Sequence, residues 1–223
     1  MQLQKDNLIQ YCANSLGSIL ATLEDLPALK LDELAPQKTA LVVLDVINAF
    51  AREGPFQSPR VEALIPAITS LIRLCQSHGI MVLAFADCHT ADSTEYDVFP
   101  VHALAETSEC ELVDEIKEIG DYTLIYKNST NGFLEEAFQE WLIENRHVEN
   151  FIIAGDCTDI CIQQFATSLK ADFNRKNQRR LVAVPVDAVD TYDLEPHNGD
   201  LTHMMALYFM QESGVKLYQS VEG

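Results

Sequence analysis

The sequence predicts a three-layer α/β/α domain built on a mostly parallel, six-stranded sheet. Two observations carry the prediction. Short apolar runs rich in β-branched residues recur along the chain, and the stretches between them place apolar residues at helical spacing. A strand that is apolar throughout must be covered on both faces, which an alternating strand–helix chain does with helices on either side of a parallel sheet. A chain of 223 residues with 48% hydrophobic content suits one such domain.

Residues 1–36 read as an appended helical segment, with Leu16, Ile19, Leu20 and Leu23 at helical spacing and an end near Pro36. Its expected role is packing against the core or another subunit. Residues 37–223 form the main domain. "TALVVLD" (39–45) is a buried strand ending in a carboxylate. "VEALIPAITSLIRLCQSHG" (61–79) is a helix with a glycine stop, followed by the strand "IMVLAFAD" (80–87). "YTLIYK" (122–127) is a strand and "GFLEEAFQEWLIENR" (132–146) an amphipathic helix. The strand "ENFIIAG" (149–155), the helix 158–176, the strand "RRLVAVPVDAV" (179–189), the helix 200–214 and the strand "VKLYQS" (215–220) complete the series.

In open parallel α/β sheets, ligands bind beyond the carboxyl ends of the strands. Asp45, Asp87 and Lys127 stand at three such ends, and Cys161 follows a fourth, at the start of the next helix. Each has an ordinary reading alone. Asp45 suits a helix cap or loop, Lys127 a snorkelling surface lysine, and Cys161 small apolar packing. Together they make a nucleophile site. With Thr158 or Asp159 as N-cap, Cys161 falls in the first turn of a helix, where the dipole and Lys127 favour thiolate. Asp45 can take the thiol proton and return it to a leaving group.

Fifteen basic against thirty-four acidic residues give a net charge of −19. Such a surface repels phosphate backbones and anionic membranes, so neither nucleic acid nor membrane is an expected partner. The six cysteines include no Cys-x-x-Cys, so a zinc ribbon is not indicated. The N-terminus lacks a basic start followed by an apolar run, and no apolar stretch approaches membrane-helix length. The expectation is a reduced, cytoplasmic protein.

"VVLDVINAF", "YKNSTNGF" and "AGDCTDIC" resemble the three signature segments of the isochorismatase-like cysteine hydrolases, the group that contains the nicotinamidases. The resemblance runs from about Thr39 to the C-terminus and leaves residues 1–36 outside. It implies a six-stranded parallel sheet, a catalytic triad of Asp45, Lys127 and Cys161, and a cis peptide between Asp156 and Cys157. It also implies an oxyanion hole from the backbone N–H groups of Cys157 and Cys161. On this reading the Cys157 side chain is incidental, and the two thiols are neither a disulfide nor a metal clip.

"FADCHTADSTEYDVFPVHALAET" (85–107) resembles the nicotinamidase metal segment. The resemblance implies Asp87, His89 and His102 as ligands, with Glu95 as a further one, for a divalent zinc, iron or manganese ion. Phe50 is expected to stack on a planar substrate, with Phe133, Tyr96 and Phe99 as further wall candidates. The family often has Gln and Asp where this chain has Ile47 and Ala49, and Trp or Ser where it has Cys88. The expected activity is hydrolysis of a small-molecule amide, nicotinamide to nicotinate and ammonia, a step of NAD salvage (pyridine nucleotide biosynthesis). The alternatives are a metal-independent family amidase acting on a carbamoyl or ureido compound, and a catalytically degenerate binding protein. A homo-oligomer is the expected assembly.

Overall fold

The six apolar runs form one parallel sheet in a computed structural model that describes residues 5–223, with side chains for all but residues 5–7 and 10. The strands are β1 (Thr39–Leu44), β2 (Met81–Asp87), β3 (Thr123–Lys127), β4 (Asn150–Gly155), β5 (Leu181–Pro185) and β6 (Lys216–Tyr218). Their spatial order is β3-β2-β1-β4-β5-β6, and every neighbouring pair is parallel. All six residues of β1 are buried, as a central strand covered on both faces requires.

The pleat sends alternate residues into two cores. Leu41 and Val43 of β1 join Val82 and Ala84 of β2 under α2 (Pro59–Ser77), after a long N-terminal helix α1 (Lys5–Leu23) that lies outside the sheet order. Ile116 of the short α3 (Asp114–Ile119) packs there too. Val42 and Leu44 face the other way, toward Phe138 of α4 (Glu136–Glu144), Phe165 and Leu169 of α5 (Gln163–Arg175) and Leu207 and Met210 of α6 (Gly199–Glu212). Leu23 and Leu26 pack against this second core, while Leu8, Ile9, Tyr11 and Leu20 of α1 are exposed. Among the described residues, no helix is long and apolar enough to cross a membrane.

Several elements differ from the sequence expectation. The helix expected over 132–146 is a 3₁₀ turn, Gly132–Leu134, followed by α4, because Glu135 takes an extended conformation between them. The strand expected over 179–189 stops at Pro185 and passes into a 3₁₀ turn, Val186–Ala188. The helix expected from 158 begins as a π turn, Thr158–Ile162, before α5. Within residues 1–36, helix ends at Leu23, and Leu29–Lys30 then pairs in parallel with Val221–Glu222.

The strand order reverses between β1 and β4: the chain leaves β1 toward α2 on one face and leaves β4 toward α5 on the other. A crevice opens at such a switch point. It lies between Asp45 and the turn that carries Cys161.

Candidate active site

Asp45 is the first residue beyond β1 and has φ +58°, a left-handed conformation that is uncommon for a non-glycine residue and concentrates at functional sites. Its amide donates to the Phe85 carbonyl at 3.0 Å, which pins the backbone to β2. Its Oδ1 accepts the Asp87 amide at 3.1 Å, and its Oδ2 lies 3.0 Å from Lys127 Nζ. Asp87 and Lys127 are direct register partners on β2 and β3, so one rung of the ladder carries an acid and a base side by side. Lys127 Nζ donates to Asp87 Oδ1 at 2.7 Å, to the Ser129 carbonyl at 3.1 Å and toward Cys161 Sγ at 3.7 Å. A carboxylate oxygen of Asp45, one of Asp87 and the Cys161 sulfur all lie within 4.8 Å of one another. The four residues the strand-end rule singled out therefore converge, although they are far apart in sequence.

The turn that carries Cys161 starts from a glycine that no other residue can replace without rearrangement. Gly155 has φ +119°, and a Cβ there would stand 2.0 Å from the Leu44 carbonyl oxygen. The Asp156–Cys157 peptide is cis. The residue preceding the π turn is Cys157, with no side-chain cap, which corrects the expectation that Thr158 or Asp159 caps the helix. Those two side chains have other partners: the Thr158 hydroxyl bonds His203 Nδ1 at 2.9 Å, and Asp159 Oδ2 accepts His197 Nε2 at 2.8 Å. The thiols divide as well. Cys157 Sγ donates to Asp156 Oδ2 at 3.1 Å, while Cys161 Sγ faces Lys127, and both cysteines are free. Among the described residues, the Cys157 N–H meets no protein acceptor.

The protonation pattern follows from burial and neighbours. Burial raises the Asp45 carboxyl to about 7, with Lys127 pulling down and Asp87 pushing up. Burial likewise drives the Cys161 thiol well above its ordinary range. Lys127 opposes this, but the two carboxylates reinforce it. The sequence argument that Lys127 and the helix start would favour thiolate therefore describes one contribution that the site as a whole outweighs. Burial works against charge on Lys127 and Asp87 too, yet the carboxylates of Asp45 and Asp87 hold the ammonium well above its usual range, and Lys127 with His89 holds Asp87 below its own. Lys127 and Asp87 are thus held toward their charged forms, while burial holds Asp45 toward its acid and Cys161 toward its thiol.

Beside this floor, ligand atoms of Asp87, His89 and His102 lie within 4.8 Å of one another, all three buried. Each imidazole is oriented through Nδ1, His89 against Asn128 Oδ1 at 3.1 Å and His102 against the Pro100 carbonyl at 2.8 Å, which leaves Nε2 for a ligand. His89 Nε2 and Glu95 Oε2 are buried without a hydrogen-bond partner and lie 3.8 Å apart. Two imidazole nitrogens, a carboxylate and an orphaned second carboxylate oxygen fit a divalent metal ion.

A pocket of about 430 Å³, open mouth included, rises above both groups. Phe50, Phe56, Phe99, Ile160, Thr130 and Tyr192 form its walls, with Asp87, Glu95, His102, Cys157 and Cys161 below. Phe50 and Phe99 are where the sequence put them. Phe133 is not: it packs against Phe138 at 6.1 Å in the second core, because the 3₁₀ turn points it away from the crevice. Tyr96 also lies outside the lining. Its hydroxyl donates to the His102 carbonyl at 3.1 Å, so it braces a histidine from behind. Phe56, Ile160, Thr130 and Tyr192 escaped the sequence reading. Ile160 adjoins Cys161. Tyr192 sits in a loop after β5 at the same sheet edge as the other site residues, a signal available from the strand-end rule. Ile47 and Ala49, in place of polar residues, are fully buried in the first core.

A family model described as the Isochorismatase domain matches residues 39–212. Nicotinamidase 1 of Arabidopsis thaliana is 26% identical over 216 residues, covering 81% of this chain and 85% of that protein. The solved nicotinamidase of Bacillus subtilis is 25% identical with a TM-score of 0.65, covering 81% of this chain and 99% of that one. The pyrazinamidase of Pyrococcus horikoshii in complex with zinc is 24% identical with a TM-score of 0.66, covering 82% and 99%.

Proposed function

We propose that this chain, which belongs to the isochorismatase family and is an amide-bond hydrolase, cleaves nicotinamide to nicotinate and ammonia through a thioester on Cys161. The observation that carries the reading is Lys127 Nζ at 3.0 Å from Asp45 and 3.7 Å from the Cys161 sulfur, at the foot of an aromatic-walled pocket. The nicotinamidases among its relatives favour this substrate.

As the Cys161 sulfur bonds to the amide carbon, its proton passes to Asp45, whose carboxyl, near 7, is a base matched to neutral pH. Lys127 steadies the forming thiolate and then the restored carboxylate. The N–H groups of Cys157 and Cys161 donate to the oxyanion. Asp45 gives its proton to the departing nitrogen, the carbon–nitrogen bond breaks and ammonia leaves. Asp45 next takes a proton from water while the water oxygen bonds to the acyl carbon. The carbon–sulfur bond breaks and the sulfur regains a proton. Asp87, His89 and His102, with Glu95, would hold a zinc, iron or manganese ion. When bound it supplies a Lewis-acid contact for a pyridine nitrogen. Phe50 and Phe99 present flat apolar faces to the ring.

The test is ammonia release from nicotinamide by the wild type and by Cys161→Ala, each with and without a chelator. Cys161→Ala should lose at least about 10³-fold in rate, and its survival would overturn the thioester route. Chelation should raise KM. Ammonia from ureido compounds but not from nicotinamide would select the carbamoyl-type amidase instead.

A further inference from the structure

We infer that Tyr192 sets the pocket's preference for a flat ring, and that His197 and Asp159 position it. Tyr192 lines the pocket beside Cys157 and Ile160. Its ring is stacked on the His197 imidazole, with centroids 3.9 Å apart and planes 13° apart, and lies 6.0 Å from Phe56. His197 Nε2 in turn donates to Asp159 Oδ2 at 2.8 Å. Asp159 belongs to the π turn that carries Cys161. A strut of three side chains thus links the turn that carries Cys161 to the aromatic pocket wall.

The loop bearing Tyr192 is tied down on both sides of it. The Asp190 carboxylate receives Arg60 Nε at 3.2 Å and Nη2 at 2.7 Å, and the Asp190 carbonyl accepts the Thr158 amide at 3.0 Å. Leu194 and His197 exchange both backbone hydrogen bonds, at 3.0 and 2.8 Å, and Asp193 Oδ1 accepts the Gly199 amide at 3.0 Å. Tyr192 is a fixed wall rather than a swinging loop residue. With one face held by His197, what it offers the pocket is aromatic surface, which a planar heteroaromatic amide can pack against and a branched aliphatic amide cannot match. The inference rests on the ring-amide reading above and adds a residue and a strut to it.

The experiment compares nicotinamide with isobutyramide in the metal-replete protein. Ammonia release by the wild type from nicotinamide tests the parent reading alone. For the inference, kcat/KM for both amides is measured in Tyr192→Ala, Tyr192→Leu and Tyr192→Phe, and nicotinamide binding is measured by calorimetry in the Cys161→Ala background. The Ala and Leu changes should lower the nicotinamide-to-isobutyramide ratio roughly three- to ten-fold, mostly through KM, with matching losses of affinity. Tyr192→Phe should keep the ratio. His197→Ala should reproduce part of the loss, and none of it in the Tyr192→Ala background, because its effect passes through that ring. An unchanged ratio in both Ala and Leu variants overturns the inference, as does a fall confined to kcat. Should the wild type leave nicotinamide uncleaved, the parent reading fails, and equal binding of the two amides to the Cys161→Ala protein overturns the inference as well.

Discussion

Two lysines in this molecule hold nearly the same bonds in opposite surroundings. Lys117 on α3 meets Asp114 at 2.8 Å and Glu111 at 2.9 Å, with its side chain 37% exposed. Lys127 meets Asp87 at 2.7 Å and Asp45 at 3.0 Å, with its side chain fully buried. Geometry therefore does not separate them. Water does: around Lys117 it screens each charge, whereas around Lys127 every charge must be answered by protein, and a change of one proton is felt by the whole cluster. The first arrangement decorates a surface. The second fixes protonation states against their solution values, which is what acid–base chemistry at neutral pH needs.

The comparison breaks most sharply if the buried lysine is removed. Lys127→Ala leaves two facing buried carboxylates without their cation and should cost about 3–5 kcal/mol in denaturant unfolding, with activity lost. Lys117→Ala should cost under about 1 kcal/mol. Equal costs would show that burial is not what distinguishes them. Gly155→Ala should rival the first change, since its Cβ would stand 2.0 Å from the Leu44 oxygen, and reduced expression or a lower melting temperature measures it.

Asp45 sharpens the contrast through pH. Its folded carboxyl sits near 7, above the value of 3.8 for the free side chain, so the folded state holds the proton more tightly. The stability this contributes is complete below about 4 and lost as pH rises through about 7. Asp45→Asn should remove that slope, and unfolding measured from pH 4 to 8 reads it. In the proposed mechanism the same group must be unprotonated to accept from Cys161, so kcat/KM should fall about tenfold per unit below pH 7. The smallest effect is expected at Cys157: Cys157→Ala keeps the backbone N–H and should retain most of the activity, which an ammonia assay checks.

How much of this was legible depends on what encodes each feature. Period and punctuation encode strands and long helices, so the six strands and the order of elements were readable from apolar runs alone. Strand ends share an edge in any parallel sheet, so Asp45, Asp87, Lys127 and Cys161 could be brought together without coordinates. The six-residue α3 is too short to show a period, and the π turn at Thr158–Ile162 leaves no mark in a pattern of apolar residues. Phe133 was misplaced because a break at Glu135 rotates the residues before it out of the helical frame. Tyr192 was missed because the strand-end rule marks the loop after β5 but not which of its residues faces the pocket, and that loop is held in part by the distant Arg60 through Asp190.

β3 carries Lys127, and β3 is one of the two edge strands of the sheet, paired on one side only, with Leu124 and Tyr126 exposed. Such a strand opens by fraying at an energy below that of unfolding the whole domain. Each opening withdraws the cation that balances the floor. On warming, catalysis should therefore fail before the helices melt, and the amides of β3 should exchange with deuterium sooner than those of β1, at the centre.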